Sequence, residues 1–334
     1  MKVIVSHNIP FYLAHGGLQT LIQALMKELT LLGVDVQPER WWDPDQTGDI
    51  LHYFGRPMNV GLAKQKGLKT VMTETFDLVA SESNLRIRKR IIFTRMASKY
   101  LPGYAERVSF YRDLDALVYI VPHELDVVRR IYDVPDQRGL IIPHGLEPET
   151  IKALSEVEIE GDYLVSVGTI CPRKNAVLLA TCAKEARVPI KFLGKPFSEQ
   201  DPYFLQFREL IDDKYVRYVG YVSEHVKHKI LRGARGFVLL SQGESGCIAV
   251  YEAAAAGLPL LLSDLPWAIN AYPTSNQLHF VLLDDPRRIV HALRSFYGIA
   301  HREQTMTFHV GTWSDIAKQY LKLYQSLLPD LNPA

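Results

Sequence analysis

Cysteine is scarce in this sequence, and no group of residues has the spacing of a structural metal site. The 334 residues include three cysteines, with no Cys-x-x-Cys pair and no His and Cys cluster at zinc spacing. Small secreted domains depend on dense disulfides, and zinc modules depend on regularly spaced ligands. We therefore expect a protein of a reducing compartment, the cytoplasm, without a structural metal.

Long apolar runs are also absent. No stretch approaches the roughly 18 consecutive apolar residues that indicate a membrane-spanning helix. The N-terminal segment MKVIVSHNIPFY has the pattern of a folded strand and lacks the apolar region and small-residue cleavage site of a signal peptide. We expect a chain that does not span a membrane and is not secreted by that route.

Neither sign of charge dominates the composition. Lys and Arg total 38 against 37 Asp and Glu, which gives a formal net charge of +1. Such a balance provides no long-range attraction for a polyanion. We expect no nucleic acid among the partners, and any basic surface has to be local.

A complete dinucleotide-binding motif is missing as well. A nicotinamide-dependent dehydrogenase would carry G-x-G-x-x-G between a strand and a helix, with an acidic residue downstream. Neither half of the chain contains that pattern. The sequence therefore argues against this class of enzyme.

Apolar strand-like runs alternate with amphipathic helical stretches along nearly the whole chain. This pattern predicts an α/β fold in which helices cover both faces of a parallel sheet. The length suits two domains of roughly 150 residues, each able to bury a core. The predicted strands are 3–5, 34–36, 50–53, 70–73, 116–121 and 140–142 in the first half, and 163–167, 190–193, 216–218, 236–240, 258–262 and 280–282 in the second.

A polar segment marked by prolines, residues 143–162, separates two Rossmann-like halves. We predict an N-terminal domain over residues 1–150 and a C-terminal domain over residues 151–312. The remaining residues, 313–334, begin with an amphipathic helical pattern.

A pair of glycines lies between the first predicted strand and the first predicted helix, in AHGGLQT. Backbone amides of Gly16 and Gly17 could approach an anion there, because partial positive charge collects at a helix N-terminus. The spacing alone is explained equally well by an ordinary turn.

Two adjacent cations follow the first strand of the second half, in SVGTICPRKN. Arg173 and Lys174 would lie at the carboxyl edge of a parallel sheet, where open α/β sheets bind ligands, and their charge suits a phosphate. The alternative is a solvated loop with ordinary surface charges.

Two carboxylates stand in an otherwise apolar stretch, GESGCIAVYEAAAAGLPLLLSD. Glu244 falls in a predicted loop, and Glu252 falls about one turn inside a predicted helix that ends at Gly257. A buried carboxylate without partners is costly, so Glu252 needs hydrogen bonds. Hydroxyl groups of a ligand would provide them, and so would a Lys or Arg from elsewhere in the chain.

These motifs together resemble retaining glycosyltransferase family 4, the glycogen-synthase-like enzymes of GT-B fold. ESGCIAVYE with the following AAAAGLPLLLSD resembles the family's E-x7-E signature, and SVGTICPRKN resembles its V-G loop. HGGLQT, GDILHYF, IIPHGL and TWSDIAKQY are similar to other segments of the family, in the same order. The resemblance covers nearly the whole chain.

The resemblance implies two Rossmann-like domains with parallel sheets facing a central cleft, the first binding the acceptor and the second the nucleotide sugar. Residues 313–334 would form a helix that crosses back to the first domain. The implied enzyme moves a sugar from a nucleotide diphosphate sugar, with retention, to a glycan, lipid-linked or small-molecule acceptor in polysaccharide or glycoconjugate biosynthesis. It implies no cofactor and no metal, and we interpret the Asp-x-Asp at Asp43-Pro44-Asp45 as structural.

Carried onto this chain, the resemblance also implies roles for individual residues. Glu252 would bind the ribose hydroxyls, and Glu244 would hold hydroxyls of the transferred sugar. Lys174, with Arg173, would neutralise the diphosphate. The other implied donor contacts are the amides of Gly246, Cys247 and Ile248, then Gly16 and Gly17, and Thr169, where the family commonly has a second cation.

One departure from the family pattern concerns catalysis. The family often has a histidine at the end of the strand that here reads TVMTETFD, and this chain has Glu74 and Thr75 instead. His123 and His52 are further candidates for contact with the donor sugar, although His52 suits a packed core equally well. The departure leaves a non-catalytic sugar-nucleotide-binding or partner subunit as the alternative function.

A local basic and apolar stretch spans residues 85–112. Eight cations alternate there with isoleucines and aromatic residues. Such a stretch could rest on anionic lipid at the inner face of a membrane, or receive a lipid diphosphate. The alternative is a solvated helical face whose apolar side packs on the sheet.

Overall fold

The computed structural model describes residues 1–8, 11–12, 16–55, 58–75, 77–156, 158 and 161–329, without the side chains of 77 and 78. The chain forms two compact units. The first consists of Met1–Gly145 and Gly311–Ala334, and the second of Leu146–Val310. Each unit contains one six-stranded sheet whose described pairings are all parallel. The α/β class predicted from the alternation is therefore confirmed.

The strands of the two sheets follow the predicted runs closely. The first sheet contains β1 (Lys2–His7), β2 (Asp35–Pro38), β3 (Ile50–Phe54), β4 (Lys69–Thr73), β5 (Ala116–Tyr119) and β6 (Gly139–Ile141), in the order β2-β1-β3-β4-β5-β6. The second contains β7 (Leu164–Val167), β8 (Ile190–Leu193), β9 (Val216–Gly220), β10 (Gly236–Leu239), β11 (Leu260–Ser263) and β12 (Leu278–Val281), in the order β12-β11-β10-β7-β8-β9.

Helices fill most of the sequence between the strands. Those of the first unit before the crossing to the second are α1 (Gly17–Leu31), α2 (Val60–Gln65), α3 (Asp77–Ala80), α4 (Asn84–Tyr100), α5 (Pro102–Asp113) and α6 (Pro122–Tyr132). The second unit has α7 (Pro148–Ser155), α8 (Ala176–Ala186), α9 (Pro202–Glu209), α10 (Glu224–Arg232), α11 (Ile248–Ala255), α12 (Pro266–Ile269) and α13 (Pro286–Ile299). The last helix, α14 (Trp313–Leu327), returns to the first unit. No helix among the described residues is long and apolar enough to cross a bilayer.

The central strands are buried along their whole length, which explains why their sequences are continuous apolar runs. All residues of β3, β5, β10 and β11 are buried. A strand in a parallel sheet needs apolar side chains on both faces because helices cover both. The alternating pattern of a half-exposed antiparallel strand is accordingly absent from these four.

The first unit is closed by the terminal helix, as a buried polar network shows. The imidazole of His52 on β3 lies 2.7 Å from the Tyr324 hydroxyl and 2.8 Å from the Thr73 hydroxyl, which in turn lies 3.0 Å from the Tyr320 hydroxyl. His52 is therefore a packed core histidine, the second of the two alternatives left open by the sequence. Helix α14 begins with a capping box between Thr312 and Asp315.

The chain leaves the first unit after Gly145 and re-enters it at Gly311, whereas the predicted boundaries placed the exit after residue 150 and the re-entry at residue 313. A side chain at Gly145 would place its Cβ 2.7 Å from the backbone of Thr312 and Trp313. The two crossing segments therefore lie against each other, and the close backbone approach explains why glycine is needed there.

Candidate functional site

The carboxyl ends of β7 and β10 bring the two predicted motifs of the second unit together. These strands are neighbours in the sheet although they are far apart in the chain, because the strand order reverses between them. In open α/β sheets, ligands bind at such a reversal, beyond the carboxyl ends of the strands. The loop 168–175 leaves β7 there, and the loop 240–247 leaves β10.

One carboxylate and two cations form the centre of this site. The Glu244 carboxylate lies 2.9 Å from an Arg173 guanidinium nitrogen and 2.7 Å from the Lys174 ammonium. Glu244 and Lys174 have side chains that are 7% and 11% exposed, whereas Arg173 is one third exposed. Two positive charges on one negative charge leave the cluster with a net charge of +1.

Three hydrogen bonds that end on backbone carbonyl oxygens join the two loops. The Arg173 guanidinium donates to the Gly243 carbonyl oxygen at 2.7 Å, and the Gln242 amide donates to the Arg173 carbonyl oxygen at 2.8 Å. The Asn175 side-chain amide donates to the Leu240 carbonyl oxygen at 2.8 Å. Because both loops are fixed to each other, the charged cluster is preorganised.

Lys174 reaches Glu244 across the end of β7 because Gly168 has no side chain. A Cβ at Gly168 would lie 3.2 Å from Cε of Lys174, a tight contact. A small cavity at this point is lined by Gly168, Thr169 and Lys174, among other residues. The predicted contact residue Thr169 therefore lies beside the cluster.

The charges of the cluster stabilise one another. Burial by itself would raise the pKa of the Glu244 carboxyl, but the Lys174 ammonium and the Arg173 guanidinium outweigh it and hold that pKa below its ordinary value. Burial would lower the pKa of Lys174, and the negative groups beside it raise it instead. Both groups are therefore ionised at neutral pH.

The N-terminus of α11 lies next to this cluster. Gly246, Cys247 and Ile248 lead into the helix, and Gly246 has a φ of +61°, a conformation that favours glycine. The Cys247 sulfur lies 3.5 Å from the Lys174 ammonium, and burial raises the pKa of its thiol. Amides in the first turn of a helix have no partner within the helix and attract anions.

Glu252 is buried within α11 and is paired with a residue that the sequence did not identify. Its carboxylate lies 2.7 Å from the ammonium of Lys227 on α10, which also lies 2.8 Å from the carboxylate of Glu224. This is the internal partner that the sequence left as an alternative to a ligand. Glu252 accepts this bond through Oε1.

Burial and the Lys227 ammonium act on Glu252 in opposite directions. Burial raises the pKa of the Glu252 carboxyl, and Lys227 offsets only part of the effect, so the pKa stays above its ordinary value. The pKa of Lys227 itself would fall through burial but is raised by Glu252 and Glu224. Glu252 therefore depends on Lys227 for its negative charge.

Glu224, His228 and Glu252 have donor atoms within 4.8 Å of one another, a geometry that could hold a metal ion. The Lys227 ammonium contacts both carboxylates of this group. It therefore takes the place where a cation would neutralise them. His228 Nε2 lies 3.6 Å from the Glu224 carboxylate, and His228 and Lys227 together lower the pKa of Glu224 to about 2.

The candidate residues of the first unit are the two glycines at the start of α1, the residues that follow β4, and His123 in α6. Gly16 is the N-cap of α1 and Gly17 is its first residue, and the Gly16 carbonyl accepts from the Thr20 amide. Glu74 and Thr75 follow β4, and Glu74 is buried with its carboxylate 2.7 Å from the Tyr111 hydroxyl. His123 is the second residue of α6, and its Nε2 lies 2.7 Å from the Ala80 carbonyl oxygen. Glu74 and His123 thus have structural partners within their own unit.

Lys227 is the functional candidate that sequence reasoning missed. Its segment, SEHVKHK, shows only an N-cap serine and a charged amphipathic helix. The chain distance from Glu252 is large, and any of several cations could have served. The signal that pointed to it was indirect: an acid in an apolar helix requires a partner.

Residues 149–272 match the family model described as "Glycosyl transferases group 1". The matched segment contains every site residue predicted in the second unit. A search of curated protein sequences finds no match.

Solved structures match the whole chain. Sucrose-phosphate synthase from Thermosynechococcus elongatus is 14% identical with a TM-score of 0.70, covering 99% of this chain and 100% of that one. AviGT4, a glycosyltransferase involved in avilamycin A biosynthesis, is 16% identical with a TM-score of 0.64, covering 98% of each chain. Anabaena HepE in complex with UDP is 11% identical with a TM-score of 0.61, covering 99% of each chain.

These likenesses confirm the GT-B fold implied by the sequence motifs. At this level of identity they show the fold alone. The group 1 match covers residues of the second unit, and it supports glycosyl transfer as the activity class. Taken together, the two comparisons support a glycosyltransferase of GT-B fold.

Proposed function

We propose that the protein transfers a sugar from a nucleotide diphosphate sugar to an acceptor with retention of anomeric configuration. The observation that carries the proposal is the meeting of the Arg173, Lys174 and Glu244 cluster with the α11 N-terminus at the carboxyl ends of β7 and β10. HepE has been solved with UDP and with UDP and glucose, which supports a donor of this class.

The second unit supplies the groups that a diphosphate sugar needs. The cluster keeps a net positive charge, so a diphosphate can bind to Arg173 and Lys174 while Glu244 still balances one of them. Glu244 then presents carboxylate oxygens to hydroxyls of the sugar. Glu252, held through Oε1 by Lys227, presents its other oxygen to the ribose. We assign donor binding to this unit and acceptor binding to the first.

The proposed chemistry depends on charge stabilisation rather than on a nucleophile of the protein. The barrier is the separation of a diphosphate anion from a sugar that becomes cationic, and fixed cations and amides lower it. The C–O bond to the diphosphate breaks as the acceptor oxygen attacks from the same face, and a phosphate oxygen takes the acceptor proton. Two cations and helix amides supply the positive charge, so we propose that the reaction needs no metal and no cofactor.

The test is an incubation with sugars of uridine, guanosine and adenosine diphosphate, followed by measurement of the nucleoside diphosphate released. We expect release with one donor and a fall of more than tenfold in kcat/KM for Lys174→Ala and for Glu252→Gln. Lys184→Ala, at the far end of α8, is the matched control and keeps the wild-type rate. Wild-type kinetics in both site variants would reject the proposed site.

A second candidate function is a sugar-nucleotide-binding subunit without catalysis. It is favoured by Glu74, which stands where the resembling family has a histidine and is bound to Tyr111. This candidate predicts a thermal shift with a nucleotide sugar and no release of nucleoside diphosphate. Release, with the anomeric configuration of the product kept, supports the enzyme.

We also propose a cytoplasmic location and a role in polysaccharide or glycoconjugate biosynthesis. The three cysteines are free in the structure, as a reducing compartment requires. Cell fractionation with the native protein tests the location.

A further inference from the structure

Helix α4 exposes most of its large apolar side chains. Five of them are more than half exposed: Leu85 63%, Ile92 60%, Phe93 55%, Met96 59% and Tyr100 80%. At 100° per residue these positions share one side of the helix. We name this surface, Leu85, Ile92, Phe93, Met96 and Tyr100, the outer stripe.

The opposite side of α4 already satisfies the fold. Ile87, Thr94 and Ala97 are buried there, and the helix packs against α5 and α6. The outer stripe is therefore not required for the core of the first unit. A contiguous exposed apolar surface on a folded unit indicates a binding surface.

Cations flank the outer stripe on both sides. Arg88, Arg95 and Lys99 repeat at intervals of seven and four residues, so they form a row along one edge of the stripe. Arg86 lies on the other edge, and Lys89 lies within the stripe. Helix α4 contains no acidic residue, and none of these five cations forms an ion pair with the residues that the structure describes.

A cavity of about 330 Å³ adjoins one row of cations. Arg95 and Lys99 line it together with the hydroxyl-bearing residues Thr94 and Ser98 of the same helix and with Arg112 of α5. Arg112 is paired with Asp133 at 2.9 Å, so Arg95 and Lys99 supply the uncompensated charge. Two uncompensated cations at a cavity of this size suit the phosphate of a lipid headgroup.

We infer that α4 docks the protein on the surface of an anionic bilayer. The apolar side chains of the outer stripe would enter the boundary between headgroups and acyl chains. The cations that flank the stripe would contact the lipid phosphates. A second copy of the chain fits this surface poorly, because a symmetric dimer through α4 would bring five unpaired cations against five more. The inference does not depend on glycosyl transfer. Combined with the proposed function, it favours a lipid-linked acceptor.

Flotation of the full chain with vesicles tests the inference. Vesicles of phosphatidylcholine alone are compared with vesicles made of equal parts of phosphatidylcholine and phosphatidylglycerol. We expect binding to the anionic vesicles only, weakened at high salt. We expect a loss of roughly tenfold or more in the partition coefficient for Ile92→Ser with Met96→Ser, and for Arg88→Glu with Arg95→Glu.

The control carries the same apolar change elsewhere, Leu62→Ser with Ile299→Ser, at two other exposed positions. It should bind as the wild type does, and all variants should keep the wild-type circular dichroism. Equal binding to both vesicle types, or unchanged binding of the α4 variants, overturns the inference. The inference is also overturned if the wild type sediments as a dimer and the Ile92→Ser with Met96→Ser variant sediments as a monomer. The outer stripe would then be a self-association surface. A failure to release nucleoside diphosphate would leave vesicle binding unaffected.

Discussion

At the scale of single residues, the pairing of each acid decides its chemistry. Glu244 has two cations and a lowered pKa, whereas Glu252 has one cation, shared with Glu224, and a raised pKa. The two carboxylates of one motif therefore titrate differently. Glu244 keeps its charge to lower pH than an ordinary glutamate, and of the two acids Glu252 loses its charge first as the pH falls.

This difference predicts a role for Lys227 that is visible in a pH profile. The Lys227 ammonium provides most of the opposition to the effect of burial on Glu252, so without it the pKa of Glu252 rises further. Lys227→Met should lower kcat/KM at neutral pH by roughly tenfold and move the acidic limb of the profile to higher pH. Lys229→Met, on the exposed side of the same helix, should leave both unchanged. An acidic limb at the wild-type position in Lys227→Met would show that Glu252 does not control it.

At the scale of elements, the buried contacts between β3, β4 and α14 explain why a histidine stands in an apolar strand. Burial lowers the pKa of His52 from 6.5 to about 3, so the imidazole stays neutral in the folded state. Its two nitrogens serve the Tyr324 and Thr73 hydroxyls. An apolar strand position thus holds a polar residue because each of its polar atoms has a partner.

The lowered pKa predicts acid sensitivity. Below pH 6.5 the unfolded chain binds a proton at His52, whereas the folded chain binds it only near pH 3. The contribution of neutral His52 to the free energy of unfolding is complete above pH 6.5. It is lost as the pH falls, by up to about 1.4 kcal/mol per pH unit. Urea unfolding of wild type and His52→Gln measures it: the stability difference should shrink on acidification. A difference independent of pH would contradict the assignment.

Helix α4 is an element whose buried side could not be predicted from the sequence pattern. The sequence placed the apolar residues of 85–112 equally well against the sheet or against lipid. The structure buries Ile87 and leaves Ile92 and Met96 exposed. Two apolar stripes on one helix have similar spacing, and only the packing against α5 and α6 shows which of them is inside.

At the scale of the whole molecule, the two units differ in continuity. The second unit is one stretch of chain, Leu146–Val310, whereas the first is completed by residues after it. Tyr320 and Tyr324 are buried on α14, and α14 packs against α1. The first unit therefore depends on the end of the chain.

Truncation after Val310 should expose this dependence. It leaves His52 and Thr73 buried without Tyr324 and Tyr320, which costs more than the apolar contacts alone. Hydrogen exchange followed by mass spectrometry should show lost protection in β3 and β4, with β10 and β11 unchanged. A chain ending at Leu328 is the control and should exchange like the wild type. Protection retained in β3 and β4 would argue that α14 is dispensable.

The sequence by itself determined the α/β class, nearly all strand positions and the two motifs around Lys174 and Glu252, because these depend on local periodicity and short spacing. Only the tertiary structure decided that Lys227 is the partner of Glu252, that His52 is a core residue and that the apolar side of α4 faces outward. Each of these depends on which distant segment lies opposite a side chain. Sequence spacing does not show which distant segments lie next to each other. The strand order of the sheets and the packing of the helices determine this.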